Sequence, residues 1–577
     1  MKKDNIDPEW YEGKIPSHSY RSLFKWGKPD TYKHPNERLV KYLMASLKLE
    51  ENAFRKPAGL GLERVSAQKG PKMPEKHLQA FSNILGKGNV SVSDYDRLKA
   101  ASGQAMVDIL RLRGLGMPAL PDVVLHPKDK EDVRCVVMYC DQNRIPLYVV
   151  GGGTSVTRGF EPVKHGAVLD VSTHMNKVLD FSETNQTVTV QPGISGPELE
   201  SFLNHAPEKA GAQYAYTCGH FPQSFQFSTV GGWVVTRGAG QNSTYYGKIE
   251  DLVLSQEYVT PAGVMRTPDY PRQAMGPDAD QILIGSEGIF GVLVRVTLKV
   301  FRYMPENRRY FSYLFRDWQS ATDAARHILQ SEAGKPSVFR ISDGEETDAA
   351  LRLYGVSETI ADTFLDRLGF TAGKRCLMLG WADGEKGYAR NVARQVNKIC
   401  RSKGAFPLSV FQVTRRWEKG RFLDPYMRDD LVDFGLIIDT LECAVTWERL
   451  PKVHREVRKV IKQDGETIAM SHISHAYPQG ANLYFIFIRR NKGLQDYLRT
   501  QYGILDAIVA NGGSVSHHHG IGKHLAPWLA EQQGDGYIRM LRSLKQYFDP
   551  NGILNPGGTL ALDLTAEQAG KQWGLNE

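Results

Sequence analysis

Cysteine is scarce in this chain: there are six in 577 residues, at positions 135, 140, 218, 376, 400 and 443. No pair has Cys-x-x-Cys spacing. That excludes the common zinc and thiol-redox motifs and suggests small buried hydrophobes in a reducing compartment. Long apolar runs are also missing. No stretch of about 18 apolar residues occurs, so no membrane-spanning helix is expected. The opening MKKDNIDPEWYEGKIPSHSY has lysines with no apolar run behind them and does not read as a secretory signal. The closing KQWGLNE is not a peroxisomal address. The expected location is cytoplasmic, with room for a peripheral membrane contact. Charge of one sign is only mildly in excess, with 72 Lys and Arg against 64 Asp and Glu, a net charge of +8 and a pI near 8.9. The basic residues are spread along the chain without an RNA-binding or zinc-finger signature. No nucleic-acid partner is expected; a phosphorylated small molecule or an anionic membrane surface fits better.

The chain is 41% hydrophobic and 24% charged, a soluble globular composition, and its length calls for two or three domains. Residues 1–115 form a helical N-terminal region, with NERLVKYLMASLKLEE and SDYDRLKAASGQAMVDILRLRG as helical patches. Residues 116–305 are strand-rich α+β. KDKEDVRCVVMYCDQNR has the three- and four-residue spacing of an amphipathic helix. IPLYVV, GAVLDVS, NQTVTVQPG, LVLSQEYVTPAG, QILIGSEG and GVLVRVTLKVF read as strands between turns. Residues 306–505 are a second α+β unit, with RDWQSATDAARHIL helical and SVFRIS and RCLMLGWA as strands. Residues 506–577 form a helical C-terminal region with loops, and no 20–50-residue repeat is evident.

The strand IPLYVV runs into Gly151-Gly152-Gly153-Thr154-Ser155. Such a turn can aim successive amides at phosphate oxygens, although a lone glycine triplet is as readily an ordinary tight turn. It lacks both the G-x-G-x-x-G and the Gly-Lys-Ser/Thr patterns. Further on come QPGISGPELE, CGHFPQSFQFSTVGGWVVTRGAG, YYGKIEDLV and GSEGIFGVL. In this order the motifs resemble the FAD-binding fold of the vanillyl-alcohol oxidase/p-cresol methylhydroxylase type. The fold implied is α+β: a two-subdomain FAD-binding domain plus an α+β cap domain, with helical terminal regions. The resemblance implies FAD contacts at Val150, Gly151, Gly152, Gly153, Thr154, Ser155, Pro192, Gly193, Gly219, His220, Ser228, Thr229, Gly231, Gly232, Glu287, Gly288 and Val292. Thr154 stands where some members attach flavin through a histidine, so the FAD is expected to be non-covalent.

One branch of that fold, the D-2-hydroxy acid oxidoreductases, carries Gly-Glu-His-Gly-Ile-Gly and Gly-Asp-Gly-Asn-x-His. Here His518 replaces the glutamate, and Gln479-Gly480-Ala481-Asn482-Leu483-Tyr484 replaces the second motif. Ser516–Lys523 (SHHHGIGK) and Ala481–Phe485 (ANLYF) instead resemble the alkyldihydroxyacetonephosphate synthase family. So do YMRDDLVDF, SVFRISD and CGHFPQS. Departures remain: Phe221-Pro222-Gln223 stands for Glu-Pro-Asp, NHAPEKAGAQYAY resembles an insertion, and His472 and His475 are not the residues of animal members. The resemblance implies exchange of the acyl group of acyl-dihydroxyacetone phosphate for a long-chain fatty alcohol, without net redox, by a homodimer. Flavin serves there as electrophilic trap and electron sink. The D-2-hydroxy acid dehydrogenase or oxidase reading is the alternative, and a non-enzymatic flavin-bound relic ranks third.

The same resemblance makes Tyr484 the general acid/base, with His517, His518, His519 and Arg428 catalytic and Arg340, Arg428 and Lys523 substrate-binding. A phenol working near neutrality calls for nearby cations. From the residues alone the alternatives stay open. Tyr484 is equally a packed strand tyrosine in LYFIFI. Arg428 sits beside Asp429 and Asp430 and suits a surface salt bridge. Lys523 suits either a phosphate or solvent, and His220 a buried hydrogen-bonded imidazole. Asp251 reads as a structural turn residue. No metal is expected, because adjacent histidines on extended backbone face opposite ways and no carboxylate motif adjoins them.

Overall fold

The structure, a computed structural model, describes residues 15–50, 52–55, 57–114, 116–353, 360–408 and 412–565. The secretory and peroxisomal readings rest mainly on residues 1–14 and 566–577, outside the described residues. Among the described residues no helix is long and apolar enough to cross a membrane.

The part of the fold built from residues 116–305 contains two main sheets. In the first, Val123–Leu125, Ala167–Asp170 and Leu147–Val150 run parallel, and Val90–Ser91 adds an antiparallel edge. The helix Lys130–Gln142 starts where the Asp129 carboxylate accepts the amides of Glu131 and Asp132. Its apolar face, Val133, Val136, Val137 and Cys140, then packs on this sheet. The second sheet is antiparallel, in the order Val178–Ser182, Thr187–Val190, Val292–Lys299, Val253–Thr260 and Gly263–Arg266. One expected strand is absent. In QILIGSEG, Ala279–Leu283 is helical because Asp278 caps the amides of Asp280 and Gln281, and positive φ at Gly285 and Glu287 then turns the chain.

The cap is an eight-stranded sheet in the order Phe406–Pro407, Arg309–Phe315, Cys376–Ala382, Val338–Ser342, Ile468–Ile473, Gly480–Arg490 and Leu436–Thr446. The short strand Ala476–Tyr477 pairs beside Gly480–Arg490. Trp318–Leu329, Lys386–Ser402, Leu450–Ile461 and Leu494–Ala510 pack on one face. The last of these helices runs through the expected boundary at 505/506.

The N-terminal region is helical but not a separate body. Tyr20, Phe24, Met106, Ile109 and Leu112 share the cap's core. Leu39, Val40 and Leu43 cover Ile468, Met470 and Ile488 on the sheet's other face. Buried charges staple it down: Arg21 and Arg113 pair with Asp433 at 2.8 and 2.7 Å, and Lys25 pairs with Asp430 at 2.7 Å. After Ala526–Phe548 the chain returns to the first sheet, where the Leu147 amide donates to the Ile553 carbonyl and the Asn555 amide donates to the Leu147 carbonyl.

Candidate active site

The first glycine loop leaves the sheet after Val150 and lies directly on the segment 227–229. A Cβ at Gly151 would stand 2.3 Å from Thr229 Oγ1, and one at Gly152 would stand 2.0 Å from the Phe227 carbonyl oxygen. Only glycine permits that approach. The amides of Gly151 through Thr154 donate to no group among the described residues. Thr229 caps the helix Val230–Val235 by accepting the Gly232 amide, the Gly231 amide donates to the Pro192 carbonyl, and Gly193 donates to Met175. Ser228 accepts the indole N–H of Trp233 at 2.7 Å. Gly219 turns at φ 72° and presents His220, whose ring lies 4.7 Å from that of Trp233. His220 is 1% exposed, and neither ring nitrogen has a hydrogen-bond partner among the described residues. Burial holds its pKa at about 3, so the imidazole is neutral. A row of free amides and an orphaned buried imidazole both need polar partners. The Gly151–Thr154 amides would hold a pyrophosphate, and His220 would offer a hydrogen bond to a polar cofactor such as FAD. The residues fit this cofactor.

Some expected contacts have other work. The Glu287 carboxylate accepts the amides of Ile521 and Gly522 at 2.9 Å and the Thr559 hydroxyl at 2.9 Å. Gly288 turns beside it at φ 79°. Val292 is packed in the core beneath. Lys523 is fully buried, so the solvent alternative falls away. Its ammonium donates to Asn555 Oδ1 at 2.8 Å and the Gly159 carbonyl at 3.3 Å, and burial holds its pKa at about 7. Lys523 thus ties the histidine loop to Gly159 and Asn555, and Glu287 ties it to Thr559. Asp251 accepts the Lys248 amide at 3.0 Å, as a turn residue should.

The proton-handling groups meet on the cap sheet. In the antiparallel register Tyr484 lies directly between Glu442 and His472. Residues directly opposite share a face. Alternation sends Leu483, Phe485 and Phe487 into the helix-covered core and leaves Tyr484 on the side of the histidine loop. Its hydroxyl donates to Thr440 Oγ1 at 3.1 Å and lies 3.3 Å from His519 Nε2. The Tyr484 ring stacks on His472 with centroids 4.7 Å apart.

Glu442 has no motif around it in the sequence. A glutamate in the otherwise largely apolar strand LIIDTLECAVT was the available signal. Its side chain is 1% exposed and accepts the amides of His517, His518 and His519 at 2.8–3.1 Å, and the Ser516 hydroxyl at 3.0 Å. The three-histidine loop is therefore wrapped around one carboxylate. Burial alone would raise its pKa, but the His518 imidazole and its neighbours hold it well below the usual carboxylate range. His517 Nε2 meets the Tyr477 hydroxyl at 2.9 Å, and its ring is held neutral chiefly by burial. Burial also lowers His519 to about 4. His475, stacked on His517 and bonded to Ser243 Oγ at 2.7 Å, completes the cluster.

Glu442 overturns the premise that no carboxylate adjoins the histidines. Glu442, His517 and His518 offer ligand atoms within 4.8 Å of one another, a spacing a metal ion could use. The Oε1 atom of Glu442 accepts the three amides and the Ser516 hydroxyl, while among the amides of the described residues Oε2 accepts only that of His517.

Two arginines are not free phosphate ligands. Arg340 pairs with Glu346 at 2.5 Å and also contacts His472 Nδ1 at 3.1 Å, which links it to Tyr484 through the stacked ring. Arg428 is mostly buried rather than a surface ion pair. It holds Asp429 Oδ1 at 3.0 Å, and the Gln104 carbonyl and Oε1 at 2.9 Å each. Because Gln104 in turn donates its amide to the Ser155 carbonyl at 2.7 Å, Arg428 braces the flavin loop. Burial is the larger effect on the Tyr484 phenol, while Arg340 acts to lower it. Arg340 is neutralised by Glu346, and burial pushes the Tyr484 phenol above its usual value.

Residues 121–267 match the FAD binding domain model, and residues 304–559 match the C-terminal domain of FAD linked oxidases. The alkyldihydroxyacetonephosphate synthase of Dictyostelium discoideum is 32% identical over 479 residues, 80% of this chain and 76% of that protein. A solved alkyldihydroxyacetonephosphate synthase superposes with a TM-score of 0.78 at 26% identity, covering 93% of this chain and 99% of the other. Substrate-bound p-cresol methylhydroxylase shares the fold, with a TM-score of 0.65 at 16% identity over 85% of this chain and 98% of its own.

Proposed function

We infer the reaction from one premise: this chain belongs to the alkyldihydroxyacetonephosphate synthase family and is an FAD-dependent enzyme. The proposed activity replaces the acyl group of acyl-dihydroxyacetone phosphate with a long-chain fatty alcohol, forming an ether and releasing a fatty acid, with no net redox. Bound oxidised FAD supplies an electrophilic trap and electron sink for the substrate carbon. The chain's residues position the groups and move protons.

One observation carries this reading: the Tyr484 hydroxyl held between Thr440 and His519, on a loop fastened by Glu442. With its pKa raised by burial, Tyr484 is a phenol at neutral pH and suits the general acid that protonates the leaving oxygen. His519, neutral above about pH 4, can accept a proton at Nε2. The hydroxy-acid alternative is less supported, since His518 and Tyr484 replace that branch's carboxylate and metal-binding histidine.

The test is incorporation of labelled hexadecanol into acyl-dihydroxyacetone phosphate by FAD-loaded protein. Ether product is expected, and Tyr484→Phe should lower turnover at least about a hundredfold, within the range for general acid–base catalysis. Bleaching of the flavin by a 2-hydroxy acid, with no ether formed, would refute the reading. Both lipid substrates and the net charge of +8 also support work at an anionic membrane surface, as a cytoplasmic, peripheral homodimer. Cosedimentation with phosphatidylserine vesicles and sedimentation velocity test these points.

A further inference from the structure

We propose that a cavity between the flavin half and the cap, walled by Arg421, binds the phosphate group of the substrate. This rests on the reading above. The cavity has a volume of about 410 Å³, and its polar walls include Glu200, Asn242, Arg308, Asp383, Glu418 and Arg421. That space suits a three-carbon phosphate.

The two arginines differ. Arg308 is neutralised twice, by Asp383 at 2.6 Å and by Glu418 at 2.5 Å. Asp383 also accepts the Trp381 indole N–H, and Glu418 the Tyr310 hydroxyl. Arg421 is 8% exposed and makes no ion pair among the described residues. Its guanidinium makes one long hydrogen bond there, to Asn242 Oδ1 at 3.4 Å, and lies over the rings of Phe221, Trp381 and Phe422 at 4.7–5.3 Å. Burial holds its pKa down at about 10, as befits a cation without a contacting counter-charge. A buried guanidinium is costly unless an anion meets it, and its five-donor fork matches phosphate oxygens.

The location also fits. Asn242 leads into Ser243, whose hydroxyl bonds His475, and His475 stacks on His517 and His518. Arg308 occupies two carboxylates of the walls, Asp383 and Glu418, and the third, Glu200, accepts hydrogen bonds from the Thr217 hydroxyl, the Asn204 side-chain amide and the Cys218 N–H. The Arg308, Asp383 and Glu418 group keeps one net negative charge, so the rival reading is a distant structural counter-charge.

The experiment uses the full-length FAD-loaded protein. Tryptophan fluorescence, to which Trp381 contributes, is titrated with inorganic phosphate and with dihydroxyacetone phosphate. Arg421→Gln should weaken both by about tenfold or more, the loss of a charge-assisted pair. Arg421→Lys should retain part of the binding. In the exchange assay the KM for acyl-dihydroxyacetone phosphate should rise in parallel while kcat changes little. If Arg421→Gln does not fold, Asn242→Ala, which leaves the charge in place, should weaken binding by a smaller factor. Unchanged phosphate affinity, whatever the melting temperature, would overturn the proposal and leave Arg421 a counter-charge. Weakened phosphate binding with unchanged KM would overturn the assignment to substrate. Intact exchange with unaltered phosphate binding in Arg421→Gln would sink this inference alone. Absent exchange with Arg421-dependent phosphate binding would sink the proposed reaction and, with it, the assignment to substrate.

Discussion

Glu442→Ala removes a carboxylate that accepts hydrogen bonds from the His517, His518 and His519 amides and the Ser516 hydroxyl. Each buried donor left without an acceptor costs about 1–3 kcal/mol. Were the loop to stay rigid, the ceiling for these four donors would be about 12 kcal/mol. The histidine side chains are 14–18% exposed at His518 and His519, so water can reach part of the loop once it relaxes. The expected loss of stability is therefore about 3 kcal/mol. Relaxation also separates His519 Nε2 from the Tyr484 hydroxyl, now 3.3 Å away. General acid–base catalysis is worth about 10²–10⁴ in rate, so ether formation should fall by about a hundredfold or more. Glu442→Gln keeps one oxygen acceptor but loses the charge, and should fall between the two in both measurements. Urea unfolding gives the stability, labelled-alcohol exchange gives the rate, and flavin absorbance checks that FAD loading is retained. If Glu442→Ala kept the exchange rate within threefold while melting earlier, the carboxylate would be a fold determinant only, and the argument that it aims His519 would be wrong.

Gly152→Ala would put a Cβ 2.0 Å from the Phe227 carbonyl, so the purified protein should carry little FAD and show a weak flavin absorbance band. Asp433→Ala removes the carboxylate that Arg21 and Arg113 share and should cost about 3–5 kcal/mol by urea unfolding; a loss under 1 kcal/mol would show that the N-terminal segment is not held by these charges. His519 has its folded-state pKa lowered from 6.5 to about 4, so the unfolded chain binds the extra proton first as pH falls. Its contribution, about 3 kcal/mol, is present above pH 6.5 and is lost as pH drops toward 4. His519→Gln should flatten that part of the stability–pH curve, measured by urea midpoints between pH 7 and 4.5.

The alternating apolar patterns announced most strands, and the three- and four-residue spacing with Asp129 ahead of it announced the helix Lys130–Gln142. They announced these elements because strand and helix periods are local properties. The exception, Ala279–Leu283, came from a cap and two positive-φ residues overriding an apolar run. The glycine motifs and SHHHGIGK identified the cofactor and the branch, since close backbone approach demands particular residues wherever it occurs. Arg428, Lys523 and Glu287 were legible as residues of importance. Their partners Gln104, Asn555 and the Ile521–Gly522 amides lie tens to hundreds of positions away, and nothing local names them.

The question of which histidine meets the tyrosine was settled by strand register. Tyr484 lies opposite Glu442 because the strands Gly480–Arg490 and Leu436–Thr446 pair along their full length. Glu442 in turn gathers the three histidine amides from a loop more than seventy residues further on. By itself the sequence determined the cofactor loops, the tyrosine and the histidine run, because each is a short pattern with its own steric or chemical requirement. The tertiary structure alone decided that His519 faces the phenol, that Glu442 holds the loop and that Arg428 braces the flavin loop. Those relations are long-range hydrogen bonds, set by how the sheet pairs and how the chain's ends close on it.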